Sequence, residues 1–152
     1  MNLNNLQTLD DFRLFAKKKL PKMVFGYIDG GAGDGLALNR NIQSFKKLLL
    51  QPKTLINVKN RSFSKRINDQ TFDYPFGIAP MGLCNVSNPN ADTMLAQAAK
   101  KLNIPFCVST ASSTSIEDIY KIASNNVWFQ LYMGSSVAVS YTHLRAHETK
   151  KH

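Results

Sequence analysis

A chain of 152 residues, 43% hydrophobic and 19% charged, is long enough for one domain with a packed core and too apolar to be disordered. No run approaches the roughly 18 apolar residues a membrane span needs, and the start MNLNNLQTLDDF lacks signal-peptide and transit-peptide layouts. The formal charge of +9 is scattered, with one basic triple at 17–19 and no basic stripe carrying interleaved aromatics, so a solvated lysine-rich surface is expected and a nucleic-acid partner is not.

In chain order, TLDDFRLFAKKKL at 8–20 predicts a helix. Thr8 can cap it, Asp10 and Asp11 suit its positive end, and Leu9, Phe12, Phe15, Ala16 and Leu20 form an apolar stripe. Pro21 interrupts the chain, and KMVFGYI predicts a second short helical piece. DGGAGDG stops it. No strand precedes these glycines and no Lys-Ser/Thr follows, so a sharp turn between helices is a better account than a phosphate loop. LALNRNIQSFKKLLL resumes a helical pattern, and residues 51–73 read as a polar loop or hairpin connection.

From residue 75 the pattern changes. YPFGIAP, IPFCVST and NVWFQLY are apolar runs without alternation, as expected of strands covered on both faces. Between them, DTMLAQAAKKLN and TSIEDIYKIA predict helices, the second with a capping box from Thr114 to Glu117. Strand centres near 78, 106 and 130 with one helix in each gap describe a right-handed β-α-β-α-β series, the repeat of a parallel α/β sheet or barrel. Cys84 and Cys107 sit in apolar surroundings and are expected to be reduced thiols of a cytoplasmic protein.

In such folds functional groups collect at the carboxyl ends of the strands. Those ends carry Pro80-Met81-Gly82, Ser109-Thr110 and Gln130-Leu131-Tyr132. Gln130 and Tyr132 are two apart, so one strand would present both on one face. Ser109 suits either a turn cap or a ligand, and Tyr27 suits either a core aromatic or a site residue.

At these residues the sequence resembles the amino-terminal part of the FMN-dependent α-hydroxy-acid dehydrogenase/oxidase family, which includes glycolate oxidase, L-lactate dehydrogenase and mandelate dehydrogenase. The resemblance runs from about Asp10 to Tyr132, through LPKMVFGYIDGGAGD, LNRN, YPFGIAPMGL, IPFCVSTASSTSIEDI and WFQLY. It implies an incomplete (β/α)8 TIM barrel: amino-terminal helices plus about the first three β/α units of a fold that takes about 250 residues when closed. It also implies FMN as cofactor, a small 2-hydroxy acid of the L-lactate type as substrate, an undefined electron acceptor, and a homo-oligomeric full-length parent. Peripheral attachment to the inner membrane is compatible with it. Carried over residue by residue, Tyr27 would bind the substrate carboxylate and Tyr132 would reach the substrate near its reacting carbon as a catalytic residue. Backbone groups of Ala79, Pro80, Met81 and Gly82 would pass beside the flavin ring, and Ser109 and Gln130 would bond its polar edge. Met81 departs from the usual Thr. Asp92 stands where Glu is more usual, a change expected to bear on helix capping.

The family's histidine base, arginines and flavin-side lysine come later in the family order. Residues 1–138 are therefore read as the amino-terminal part of the barrel, without turnover, FMN retention or good solubility by themselves. In the tail, His143 and His147 are four apart with Glu148 beside the second. A zinc half-site and an ordinary basic tail compete there with a third reading: VSYTHLRAHET resembles a translated sequencing adapter, which makes 139–152 non-native. A non-catalytic flavin- or phosphate-binding barrel module and a short basic binding protein are the alternative functions.

Overall fold

The structure, a computed structural model, describes residues 6–133. The chain falls into two compact units, Met1–Ser62 and Phe63–His152.

The first unit is helical. Helix α1 spans Leu9–Lys19, and its start is a full capping box: Thr8 Oγ1 accepts the Asp11 amide at 3.2 Å while Asp11 Oδ2 accepts the Thr8 amide at 2.9 Å. Helix α2, Lys22–Asp29, begins after Pro21, whose missing N–H costs nothing at a helix start. The Arg13 guanidinium bonds both carboxylate oxygens of Asp29, joining α1 to α2. The glycine cluster then turns the chain, with Gly33 and Gly35 at φ +58° and +77°, a region that glycine enters without steric cost. Helix α3 follows at Leu36–Lys46 and stops short of the expected end, leaving Leu48, Leu49 and Leu50 outside it and exposed. None of the three helices buries a residue. Leu9 and Phe12, members of the expected apolar stripe, are exposed.

The second unit opens with a hairpin inside the stretch read as connection. Strands β1 (Lys65–Ile67) and β2 (Gln70–Phe72) pair antiparallel around Asn68, which takes φ +54° in the tight turn. Phe72 is fully buried and meets Trp128 edge to face, their ring centroids 6.0 Å apart.

The β-α series follows: α4 (Ala91–Leu102), β3 (Phe106–Ser109), α5 (Ile116–Ala123) and β4 (Val127–Gln130). Strands β3 and β4 are parallel, with Val108 opposite Phe129 and Ser109 opposite Gln130. The expected first strand, YPFGIAP, is reduced to one parallel bridge, Ile78 with Phe106. Proline explains the correction. The bridge consists of the Ile78 amide to the Pro105 carbonyl at 2.8 Å and the Cys107 amide to the Ile78 carbonyl at 2.9 Å. Continuing the ladder one way needs an N–H on residue 80, and the other way an N–H on residue 105. Both are prolines.

Alternation sorts the strands' side chains onto two faces. Phe106, Val108, Val127 and Phe129 join the core with Ala96 and Ala99 of α4 and Ile119 and Ala123 of α5. Ile119, wholly buried, contributes about 1.5–3 kcal/mol by leaving water. The other face carries Cys107, Ser109, Trp128 and Gln130. The cap of α5 is one residue later than expected: Ser115 Oγ, not Thr114, accepts the Asp118 amide, at 3.2 Å. Among the described residues no sheet closes on itself, and no helix is long and apolar enough to cross a membrane. The tail 139–152, with His143, His147 and Glu148, lies outside the described residues.

Candidate functional site

The parallel register brings two of the sequence-predicted residues side by side. Ser109 and Gln130 end β3 and β4 as direct partners on the face away from the helices. Ser109 is buried, and its Oγ accepts the Ala111 amide at 3.1 Å, so the turn-capping role is real. Its hydroxyl hydrogen finds no acceptor among the described residues. The half-buried Gln130 side chain also makes no hydrogen bond among them. A serine hydroxyl and a carboxamide thus stand together with donors to spare, at the end of an otherwise apolar surface.

Beside them, the run from Ala79 to Gly82 is exposed, and the amides of Ala79, Met81 and Gly82 donate no hydrogen bond among the described residues. The run is fixed at its far end, where the Leu83 amide donates to the Ala111 carbonyl at 2.9 Å. A Cβ on Gly82 would come to 3.1 Å from the Ala111 Cβ, so the two loops pass in close contact there. Tyr132 lies past the end of β4 rather than within it, and the residue is 59% exposed. It therefore does not share a strand face with Gln130 as its spacing suggested. Tyr27 lies on α2 in the first unit and is 75% exposed.

The chain matches the family described as FMN-dependent dehydrogenase over residues 16–151. It belongs to that family. It is 40% identical over 129 residues to (S)-mandelate dehydrogenase of Pseudomonas putida, covering 85% of this chain and 33% of that protein. It is 35% identical over 128 residues to L-lactate dehydrogenase of Pseudomonas syringae pv. syringae (strain B728a), covering 84% and 34%. Among solved structures it resembles a soluble mutant of the membrane-associated (S)-mandelate dehydrogenase from Pseudomonas putida, with TM-score 0.86, 38% identity, and coverage of 95% of this chain and 42% of that one. It also resembles a mutant flavocytochrome b2 with pyruvate bound, with TM-score 0.88, 27% identity, and coverage of 98% and 39%. The chain spans about a third of the length of the curated relatives it matches.

The residues present fit the family's flavin. A flavin ring offers carbonyl oxygens and ring nitrogens along its polar edge and a broad apolar plane. The unspent donors of Ser109 and Gln130 match the first, and the exposed run Ala79–Gly82, with the apolar side chains of Pro80 and Met81, matches the second.

Two further residues hold this arrangement through contacts that the sequence reading did not foresee. Thr110, just past β3, bonds the backbone on both sides of Leu131 through one hydroxyl. Asp92, in the first turn of α4, is almost wholly buried, and it reaches across to Ser112 and Ser113 rather than capping its own helix. Asn90, the residue at the cap position, makes no side-chain cap bond either. Cys84 lies near Asp92, and burial, then the hydrogen bond and charge of that carboxylate, push its thiol up to about 11. Burial also raises the Cys107 thiol. Neither cysteine is a ready nucleophile at neutral pH. Asp92 carried a faint signal in the sequence, as an acid in the first turn of a helix. Thr110 carried its place at a strand end.

Proposed function

We propose that this chain is the amino-terminal third of an FMN-dependent dehydrogenase of L-2-hydroxy acids, acting on a lactate-like substrate and releasing the 2-oxo acid. The observation that carries this reading is the Ser109–Gln130 pair at the carboxyl ends of adjacent parallel strands. In it, Ser109 and Gln130 hydrogen-bond the polar edge of the flavin, and the backbone of Ala79, Pro80, Met81 and Gly82 lies along the ring. Tyr27 holds the substrate carboxylate. Tyr132 bonds the substrate hydroxyl side near the reacting carbon. Bound FMN supplies the two-electron acceptor, and these side chains orient the hydroxy acid and stabilise charge as its α-hydrogen leaves.

The complete protein closes a (β/α)8 barrel, and the base that takes the substrate proton lies outside these 152 residues. The chain alone is then without turnover, because sheet edges and the face carrying Gln130 stay uncovered. In the same reading residues 1–138 belong to the barrel and 139–152 do not. The family match runs on to residue 151 and marks no boundary at that point.

The test begins with the source gene, read across the codons from Tyr132 to His152 and on to its end. The complete protein is then purified and assayed with L-lactate and (S)-mandelate. A yellow protein holding one FMN per chain, reduced by one of these acids, supports the reading, and Gln130→Ala should weaken FMN binding at least tenfold. A complete protein that binds FMN and is reduced by neither acid supports the alternative, a non-catalytic flavin module. A reading frame that ends at His152 excludes catalysis.

A further inference from the structure

We infer that Thr110 is a positioning residue, whose single hydroxyl fixes where Gln130 and Tyr132 stand relative to one another. The inference rests on the functional reading above and adds to it a residue that touches neither cofactor nor substrate. Thr110 follows the last residue of β3. Its amide donates to the Gln130 carbonyl at 3.1 Å, as a parallel ladder requires. The next rung of that ladder would carry the Tyr132 amide to the Thr110 carbonyl. Instead the Tyr132 amide donates to Thr110 Oγ1 at 2.9 Å, and the same hydroxyl donates to the Gln130 carbonyl at 2.6 Å.

One side-chain oxygen therefore replaces a backbone acceptor and holds both flanks of Leu131. The substitution ends the sheet at Gln130 and frees the chain beyond it from the alternation of a strand. That is why Tyr132 leaves the face its spacing assigned to it. The β-branched side chain suits the task, since its restricted χ1 keeps the hydroxyl in place at low entropic cost. Thr110 is exposed and packs into no core, so replacing it leaves the fold standing. What moves is the turn carrying two proposed site residues, and displacement of a reacting group by about 1 Å can cost on the order of a hundredfold in rate.

The experiment compares Thr110→Val, which keeps the shape and loses the hydroxyl, with Thr110→Ser, which keeps the hydroxyl, both in the complete FMN-loaded protein. Thr110→Val should lower kcat with the better of L-lactate and (S)-mandelate by roughly 10- to 100-fold, the range a small misplacement produces. FMN content and melting temperature should stay near wild type. Thr110→Ser should recover most of the rate. Amide hydrogen exchange in the peptide containing Tyr132 should accelerate in the Val variant alone. A Val variant with wild-type kcat and wild-type exchange overturns the positioning role and leaves the function intact. So does a Ser variant as impaired as Val. A wild-type protein that turns over neither acid overturns the functional reading and the positioning role with it.

Discussion

Asp92 Oδ2 accepts the hydroxyl of Ser112 at 3.0 Å across a gap of 20 residues in sequence, and the Ser113 amide joins the same oxygen at 2.9 Å. The first turn of α4 thereby holds the loop that leaves β3. That loop in turn holds the 79–83 run through the Ala111 carbonyl. Asp92→Ala removes an acceptor that two donors share inside the protein, and bonds to a charged group are worth more than neutral ones. A loss of about 2–4 kcal/mol is expected. Asp92→Asn keeps one oxygen for both donors and should lose less than half as much. The midpoint of urea unfolding, with the slope unchanged, reads both.

Gly77 lies against Pro105. A Cβ there would come to 2.6 Å from both the Cγ and the carbonyl oxygen of that proline. The proline ring cannot swing aside, and the carbonyl already receives the Ile78 amide. Gly77→Ala should therefore destabilise by about 1–3 kcal/mol, the usual cost of overpacking. Gly26→Ala is the control, since a Cβ at Gly26 meets nothing within 4 Å. If thermal melting found the two variants equally stable, the close approach at Gly77 would be disproved.

The Cys84 thiol, raised from its ordinary 9.0 to about 11, gives a pH signature with a definite sign. Below pH 9 both folded and unfolded chains keep the proton, so Cys84 adds no pH dependence there. Between 9 and 11 the unfolded chain releases its proton while the folded chain holds it, so stability falls as pH rises through that window. Cys84→Ser should flatten this part of the profile. Alkylation by iodoacetamide at pH 8.5 gives a second check. Asp92→Asn takes away the neighbouring charge and should speed modification of Cys84 while leaving Cys107 unchanged, as mass spectrometry of the two peptides would read.

Two adjacent hydroxyl residues separate the cap of α5 from its neighbour. Ser115→Ala removes the acceptor of the Asp118 amide and should cost about 1 kcal/mol. Thr114→Ala should cost markedly less, because the Thr114 side chain makes no cap bond to the helix. Equal losses in chemical denaturation would return the cap to Thr114.

Much of this fold is written in local pattern. The apolar period of DTMLAQAAKKLN gives α4 almost to the residue, and β3 and β4 lie inside the runs IPFCVST and NVWFQLY. Thr8 and the glycine cluster do what their chemistry requires. Ser109 and Gln130 were visible as polar residues closing apolar strands. What periodicity does not carry is contact between distant segments. The register that pairs Ser109 with Gln130, the reach of Asp92 to Ser112, and the hydroxyl of Thr110 under Tyr132 all depend on which strand lies beside which. YPFGIAP misled because its composition is that of a buried strand, while its fate was set by one proline at its own end and another 25 positions later. The apolar stripe of α1 misled in another way: Leu9 and Phe12 follow helical spacing, yet both stay exposed.

The bridge at Ile78 has a consequence for how this region breathes. Its two hydrogen bonds are flanked by residues that have no N–H to add, so separating the 74–80 segment from β3 breaks two backbone bonds and no more. Separating β3 from β4 means undoing a four-residue register together with the core beneath it. Protection against solvent exchange should therefore be graded, low at Ile78 and high at Val108 and Gln130, and the backbone run from Ala79 to Gly82 belongs to the part that opens first. A ligand lying along that run would close the gradient from above, because it covers a stretch whose Ala79, Met81 and Gly82 amides donate no hydrogen bond among the described residues.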